Sequence, residues 1–309
     1  MRISVLALIV ALTGGAAQAQ ESFLVEKFGI LGLGRMFVND AYGDRKDRWH
    51  TGTYTLNIMT GTEWDGRLSA RPGDIIEYRL RSDIIAPRSL NGANSNDRAY
   101  VGALTAGVHT YYELDGYDVS AGVDVTFTGP QTGLSRFQDH FHKLLGLQRL
   151  GQNVIDNQIG NATYLTGTLE VSKTYELSDT IRFKPFFEGR VGIEDVARVG
   201  ADVVIGTASY RDLLLRDSLT GSLYKGIEYG DIGWTAIVGA DVAHTSDSAF
   251  FPASFGTKAK PVTYRARAGI EYQRSRYSSF YYGATYLSEE YVGQSGGQVV
   301  GALRFSFNF

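Results

Sequence analysis

A histidine and an amide four residues apart stand in a stretch whose spacing differs from the rest of the chain. Residues 129–148 read Gly-Pro-Gln-Thr-Gly-Leu-Ser-Arg-Phe-Gln-Asp-His-Phe-His-Lys-Leu-Leu-Gly-Leu-Gln. Leu134, Phe137, Phe141, Leu144 and Leu145 recur there at three- and four-residue intervals, which predicts a short helix with one apolar stripe. Gln138 and His142 then stack on one face, beside that stripe. A neutral imidazole with an amide next to it can serve as an oriented general base. The same residues also suit a loop helix that merely carries polar side chains, and both readings stand at this level.

What positions this stretch follows from composition and periodicity. The 309 residues include no Cys, 37 Gly, 19 Tyr and 16 Phe. Arg2, the apolar run Ile3 to Leu12 and the small-x-small site Ala17-Gln18-Ala19 predict a secretory leader over 1–19, leaving 20–309 as the mature chain. Without Cys, neither a disulfide framework nor a thiol nucleophile is available. The net charge is −3, or −4 without the leader (29 basic against 33 acidic residues), and there is no long basic run. That balance argues against a nucleic-acid partner. No later segment is apolar for the roughly twenty residues of a membrane helix. A membrane protein of this sequence must therefore be a closed barrel, the other structure whose backbone groups are all paired.

Dyad alternation supports the barrel. Val299, Leu303, Phe305, Phe307 and Phe309 oppose Arg304, Ser306 and Asn308. Val262, Tyr264, Ala266, Ala268, Ile270 and Tyr272 oppose Thr263, Arg265, Arg267, Glu271 and Gln273. Ile76, Tyr78, Leu80 and Ile84 oppose Glu77, Arg79, Arg81 and Asp83. Leu165, Leu169 and Val171 oppose Thr166, Thr168, Glu170 and Ser172. A soluble sandwich also alternates, but a core-facing row of Glu and Arg would be prohibitive there and is ordinary in a barrel lumen. Roughly ten alternating residues is also the length of a transmembrane strand. The chain ends on Phe309, as bacterial outer-membrane barrels commonly do.

We therefore expect an all-β fold, a transmembrane antiparallel barrel of about twelve strands with a short helix in an outer loop. The strands expected are 27–38, 52–63, 73–85, 98–113, 117–128, 160–176, 179–194, 195–208, 231–246, 261–274, 277–290 and 299–309. The segment 209–230, with Leu213-Leu214-Leu215, reads as a helix or an extra strand pair. With the N-terminus on the periplasmic side, the odd connections 39–51, 86–97 and 129–159 share the outer rim. Leu114-Asp115-Gly116 and Leu177-Ser178-Asp179 are tight turns on the other side. Gln138 and His142 thus share a rim with Asn39-Asp40 and with Asp47-Arg48-Trp49-His50-Thr51-Gly52. A pure pore has no need of these groups together.

These residues also carry a resemblance. Asn39-Asp40, Asp47-Arg48 with Thr51-Gly52, Asp97-Arg98-Ala99-Tyr100, and Gly129-Pro130 followed by Gln138-x-x-x-His142 resemble the outer-membrane lipid A 3′-O-deacylases of the LpxR type. The likeness covers the first half well, to about residue 176, and the second half in layout more than in motifs. It implies a calcium-dependent esterase that removes the 3′-linked acyloxyacyl chain from lipid A of lipopolysaccharide. It further implies a monomer in the outer membrane with its site toward the outer leaflet. Carried over, His142 is the base that activates water, Asn39, Asp40, Thr51 and Gln138 complete the site, and Asp40 is the candidate metal ligand. The chemistry is coherent. Ester hydrolysis needs a base of near-neutral pKa and positive charge where the oxyanion forms, which a hard cation on oxygen ligands supplies.

The sequence also departs from that family. Gln148 stands where the family has a Glu, which leaves Asp139 as an alternative cation ligand. The family's Lys-rich loop between strands three and four is replaced by 86–97, where Arg88, with Arg98 just after the loop, is what is left as cation for a substrate phosphate, beside Asn91, Asn94 and Asn96. Three rival assignments frame the site. Asp40 could be a turn residue bonded to a backbone amide. His50, after Trp49, reads as part of an aromatic belt, and His140, two residues from His142, faces elsewhere on the helix. Ser135, seven residues before His142, is the nearest serine for a Ser-His phospholipase. A non-catalytic or pore-forming barrel is the other alternative, and charges of both signs inside favour a plugged lumen over an open channel.

Overall fold

The computed structural model describes residues 29–91, 97–275 and 278–307. The expected leader, the start of the first strand at 27–28, Asn94, Asn96 and the terminal Phe309 lie outside the described residues. Fifteen strands follow in order: β1 (Gly29–Asn39), β2 (Trp49–Gly61), β3 (Ile75–Ala86), β4 (Val101–Leu114) and β5 (Tyr117–Thr128). After two helices come β6 (Ala162–Ser172), β7 (Tyr175–Ser178), β8 (Ile181–Val191) and β9 (Glu194–Ile205). The chain continues through β10 (Leu213–Arg216), β11 (Leu223–Ile227), β12 (Gly233–Ser248), β13 (Val262–Ser275), β14 (Ser278–Leu287) and β15 (Gln298–Phe307).

Antiparallel neighbours run from β6 back to β1, across to β15, and on through β14, β13, β12, β9 and β8. The β6–β8 pairing joins the two ends, and β7 continues β6 after a break at 173–174. The result is a closed twelve-stave barrel, as the alternation predicted. No helix among the described residues is long and apolar enough to cross a membrane. The expected Asp115-Gly116 turn is present, with both residues at positive φ, the conformation that a two-residue hairpin loop demands. The next turn on that side falls at 179–180, two residues beyond the expected one.

The faces sort as the dyad pattern requires. Tyr78, Leu80, Leu165, Leu169, Val262, Tyr264, Ile270 and Phe305 are exposed on the outer wall, whereas Glu77, Arg265, Arg267, Glu271 and Arg304 are buried inside. The inward charges neutralise one another. Asp241 receives Arg198 at 2.6 Å and Arg265 at 2.9 Å, and also pairs with Arg267. Removing one member of such a buried network leaves charge uncompensated, at a cost of about 3–5 kcal/mol. Asp241→Ala is therefore expected to lower the denaturant midpoint of the barrel, read by its heat-modifiable gel migration.

The segment 209–230 is the extra strand pair. β10 and β11 form a hairpin, antiparallel from Leu213↔Ile227 to Arg216↔Leu223, that enters from the end opposite the helices and occupies the lumen. Tyr224 donates to Asn57 at 2.7 Å, Lys225 reaches Gln273 and Asp212 at 2.7 Å each, and Arg216 pairs with Asp202 at 2.7 Å. A Cβ on Gly32 of β1 would lie 2.3 Å from the Gly226 carbonyl oxygen, so only glycine allows β11 this close to the wall. Beside the hairpin remains a cavity of about 630 Å³, lined by charges of both signs.

Candidate functional site

The connections at the rim where β1 ends gather the candidate residues. The β5–β6 connection carries α1 (Leu134–Leu145) and α2 (Gln152–Asp156). Gly133 precedes α1, and Gly146, at φ 67°, ends it. The helix sits the reverse of the usual way: it buries Ser135, Gln138 and His142, and exposes Phe137, Phe141, Leu144 and Leu145. The apolar stripe is thus helical as expected, but it points away from the protein. Turning the polar face inward places Gln138 and His142 against the mouth of the barrel.

His142 has a defined tautomer. Its Nδ1 lies 2.6 Å from the backbone carbonyl oxygen of Gln148. A carbonyl can only accept, so Nδ1 carries the proton and Nε2 carries the lone pair. Asp47 Oδ2 stands 3.9 Å from the same Nδ1. Burial raises the Asp47 carboxyl, and the neighbouring His142 works against that rise. Gln138 Nε2 donates to Thr51 Oγ1 at 3.4 Å, and its Oε1 is buried without a donor among the described residues. Thr51 is held from its other side, where Asn39 donates its amide to the Thr51 carbonyl. Asn39 also accepts from Ala41 N at 2.7 Å and so caps the single 3-10 turn at Asp40–Tyr42.

Asp40, at the head of that turn, is buried and accepts from Arg48 N at 2.9 Å. Burial is the largest influence on its carboxyl, and Asp47 and Asp44 add repulsion. The Arg48 and Ala41 amides only partly offset this, and the carboxyl is pushed up to about 7. The Asx-type contact expected of a turn residue is therefore present, yet a carboxylate this poorly compensated is also suited to a cation. Among the described residues no three His, Asp or Glu side chains converge as a ready metal cluster. A cation here would add main-chain oxygens or water to Asp40, which a hard, oxygen-seeking ion accepts.

The loop that delivers these groups is strained. Arg45, Asp47 and Trp49 all have positive φ without being glycine, a conformation that persists only where the surroundings hold it. Asp44 N bonds to the Val299 carbonyl at 2.9 Å, and a Cβ on Gly43 would lie 2.1 Å from that oxygen. Gln298 accepts from His50 N at 3.1 Å and donates to the Arg48 carbonyl at 2.6 Å.

Other candidates lie apart from this group. Arg98 is buried, pairs with Glu290 at 2.6 Å and stacks on Phe251, so it faces the barrel interior instead of the rim surface. Glu290 also holds His50 Nε2 at 2.8 Å, and His50 and Arg98 together lower its carboxyl to about 2 against its burial. His50 and Trp49 are both buried, so neither belongs to an aromatic belt. Arg88 remains exposed and donates to Ser295 at 3.0 Å. Asp139 is taken by Arg149 at 2.9 Å, which lowers its carboxyl, and His140 is exposed. Ser135 shares the buried face but makes no hydrogen bond to His142 among the described residues. Sequence reasoning missed the Gln148 carbonyl, which leaves no trace in residue type, and Gln298 and Glu290, which strand closure brings to the rim.

Comparison with known proteins adds to this geometry. The family model described as outer membrane protein LpxR matches residues 4–309. Among solved structures, LpxR from Salmonella typhimurium superposes with a TM-score of 0.75 at 15% identity, over 90% of this chain and 100% of that one. The NanC porin and the β domain of the Bordetella autotransporter BrkA each give a TM-score of 0.42, at 9% and 10% identity. Each covers 90% of this chain, with 100% and 99% of its own length matched. No curated protein matches the sequence.

Proposed function

Because the chain belongs to the LpxR family of outer-membrane proteins, we propose that it is an outer-membrane esterase that removes the 3′-linked acyloxyacyl chain from lipid A. The observation that carries this reading is the His142 imidazole, proton fixed on Nδ1 by the Gln148 carbonyl and lone pair on Nε2, at a rim next to Gln138 and Thr51. Nε2 takes a proton from water as the water oxygen attacks the ester carbonyl. The tetrahedral intermediate collapses, the sugar 3′-oxygen leaves, and Nε2 returns the proton to it, releasing the free acid. Asn39 and Gln138 hold Thr51 from two sides, so this wall of the site is ordered before substrate arrives.

We assign calcium to Asp40, with Gln138 Oε1 and backbone oxygens as further donors to be tested. When bound, it would supply positive charge where the ester's carbonyl oxygen becomes an oxyanion. The site then faces the outer leaflet, where the headgroup and its esters meet water. The lumen hairpin speaks against a passive pore, and the lack of a Ser135–His142 hydrogen bond among the described residues against a serine nucleophile. The test is chromatography and mass spectrometry of lipid A from cells with and without the protein. Loss of one 3′-linked acyloxyacyl unit is the expected result, and unchanged lipid A from cells carrying the folded barrel would overturn the assignment.

A further inference from the structure

We propose that α1 is an interfacial helix: its outer apolar stripe lies among the acyl chains of the outer leaflet, and an adjacent cationic stripe meets the phosphate groups of the same lipid. This deepens the deacylase reading, on which its substrate class rests. Phe137, Phe141 and Leu144 form one exposed row, with Phe137 61% and Leu144 81% accessible and the two Phe rings stacked at 6.1 Å. Arg136, His140 and Lys143, at four- and three-residue spacing, form a second exposed row beside it. The third face, with Ser135, Gln138 and His142, is the one buried against the protein.

A helix that exposes a large apolar row to water gains nothing from folding that way. A helix with an apolar row flanked by Lys and Arg is the pattern that lies in a lipid interface. Two observations commit the face to lipid. First, it continues the outer wall: α1 follows β5 after one 3-10 turn at Pro130–Thr132, Leu134 packs at Gly102 of β4, and the exposed rows Leu104–Val108 and Val123–Phe127 lead up to it. Second, the charge is free to be used. Arg136 and Lys143, and Arg45 and Lys46 on the strained loop beside His142, have no ion-pair partner among the described residues. Arg149, by contrast, is spent on Asp139. These cations supply what Arg98, locked onto Glu290, does not.

The absence of cysteine makes the test clean. Single variants Leu144→Cys, Lys143→Cys and Val123→Cys are spin-labelled and reconstituted into vesicles containing diphosphorylated lipid A. Collisions with oxygen and with a water-soluble nickel chelate are then compared. The Leu144 label should match the wall label at Val123, rich in oxygen and shielded from nickel, while the Lys143 label should meet nickel. Nickel access at Leu144 with Val123 shielded would overturn the proposal and leave the barrel reading intact. Spin–spin broadening at Leu144 would also overturn it, by showing a second copy of the chain on this face. These readouts need no catalysis, so they separate from failure of the deacylase reading. In the kinetic arm, Arg136→Ser with Lys143→Ser should raise KM about 25-fold on phosphorylated lipid A, at about fivefold per surface cation. KM should stay level on substrate stripped of phosphate. An equal rise on both substrates would remove the phosphate contact.

Discussion

His142→Ala should lower deacylation by on the order of 10²–10⁴-fold, the usual contribution of a positioned general base, while the barrel remains folded and heat-modifiable. The imidazole is buried on the inner face of α1, with Nδ1 committed to the Gln148 carbonyl at 2.6 Å. Removing it deletes the oriented lone pair on which the proposed proton transfer rests. The neighbouring histidines serve as controls. His140 is exposed on the far side of the same helix, and His50 spends its Nε2 on Glu290 at 2.8 Å. His140→Ala and His50→Ala should therefore leave kcat near wild type. Gln138→Ala should fall in between, because it frees Thr51 on one side while Asn39 still holds the other. Ser135→Ala should be silent, and the wild type should trap no acyl-enzyme. Wild-type release of fatty acid by a folded His142→Ala barrel would overturn the site.

The fold was legible where burial has a period. Each stave has one face toward the outside and one toward a charged lumen, so Glu77, Arg265, Arg267 and Glu271 alternate with Tyr78, Tyr264, Ala266 and Ile270. Counting staves then put Asn39, Thr51, Gln138 and His142 on one rim. The lumen hairpin was only half legible because it has no outside. All five residues of β11 are buried, so Leu223, Tyr224 and Lys225 carry no alternation to read. α1 was legible as a helix, but its orientation was not: periodicity marks an apolar face without saying whether protein or lipid covers it. The sequence offers Arg98 as a cation for a substrate phosphate, yet Glu290 lies 192 positions away and meets it only once the ring closes. The sequence marks Gln148 by its side chain, whereas its backbone carbonyl is what touches His142.

Chelation of divalent cations should abolish deacylation, with calcium restoring it better than magnesium. Asp40 is the group that ties this result to the structure. It is buried, one oxygen is held by Arg48 N at 2.9 Å, and Asp44 and Asp47 repel its charge. With its carboxyl pushed up to about 7, Asp40 without a cation is half protonated near neutral pH. Proton and cation then compete for the same oxygen. As pH falls through about 7 Asp40 gains its proton, so the calcium needed for half-maximal activity should rise. Above that pH the carboxylate is already ionised, and the requirement should flatten. Asp40→Asn should remove the pH dependence of the calcium requirement together with most of the activity. Gln148→Glu should lower the calcium requirement, by adding a carboxylate six residues after His142. Calcium is favoured because a site with one carboxylate and irregular oxygens suits its flexible coordination, whereas magnesium gives up its waters reluctantly. Titration of activity against calcium at several pH values, for wild type and both variants, checks each step, and full activity in excess chelator would remove the cation from the mechanism.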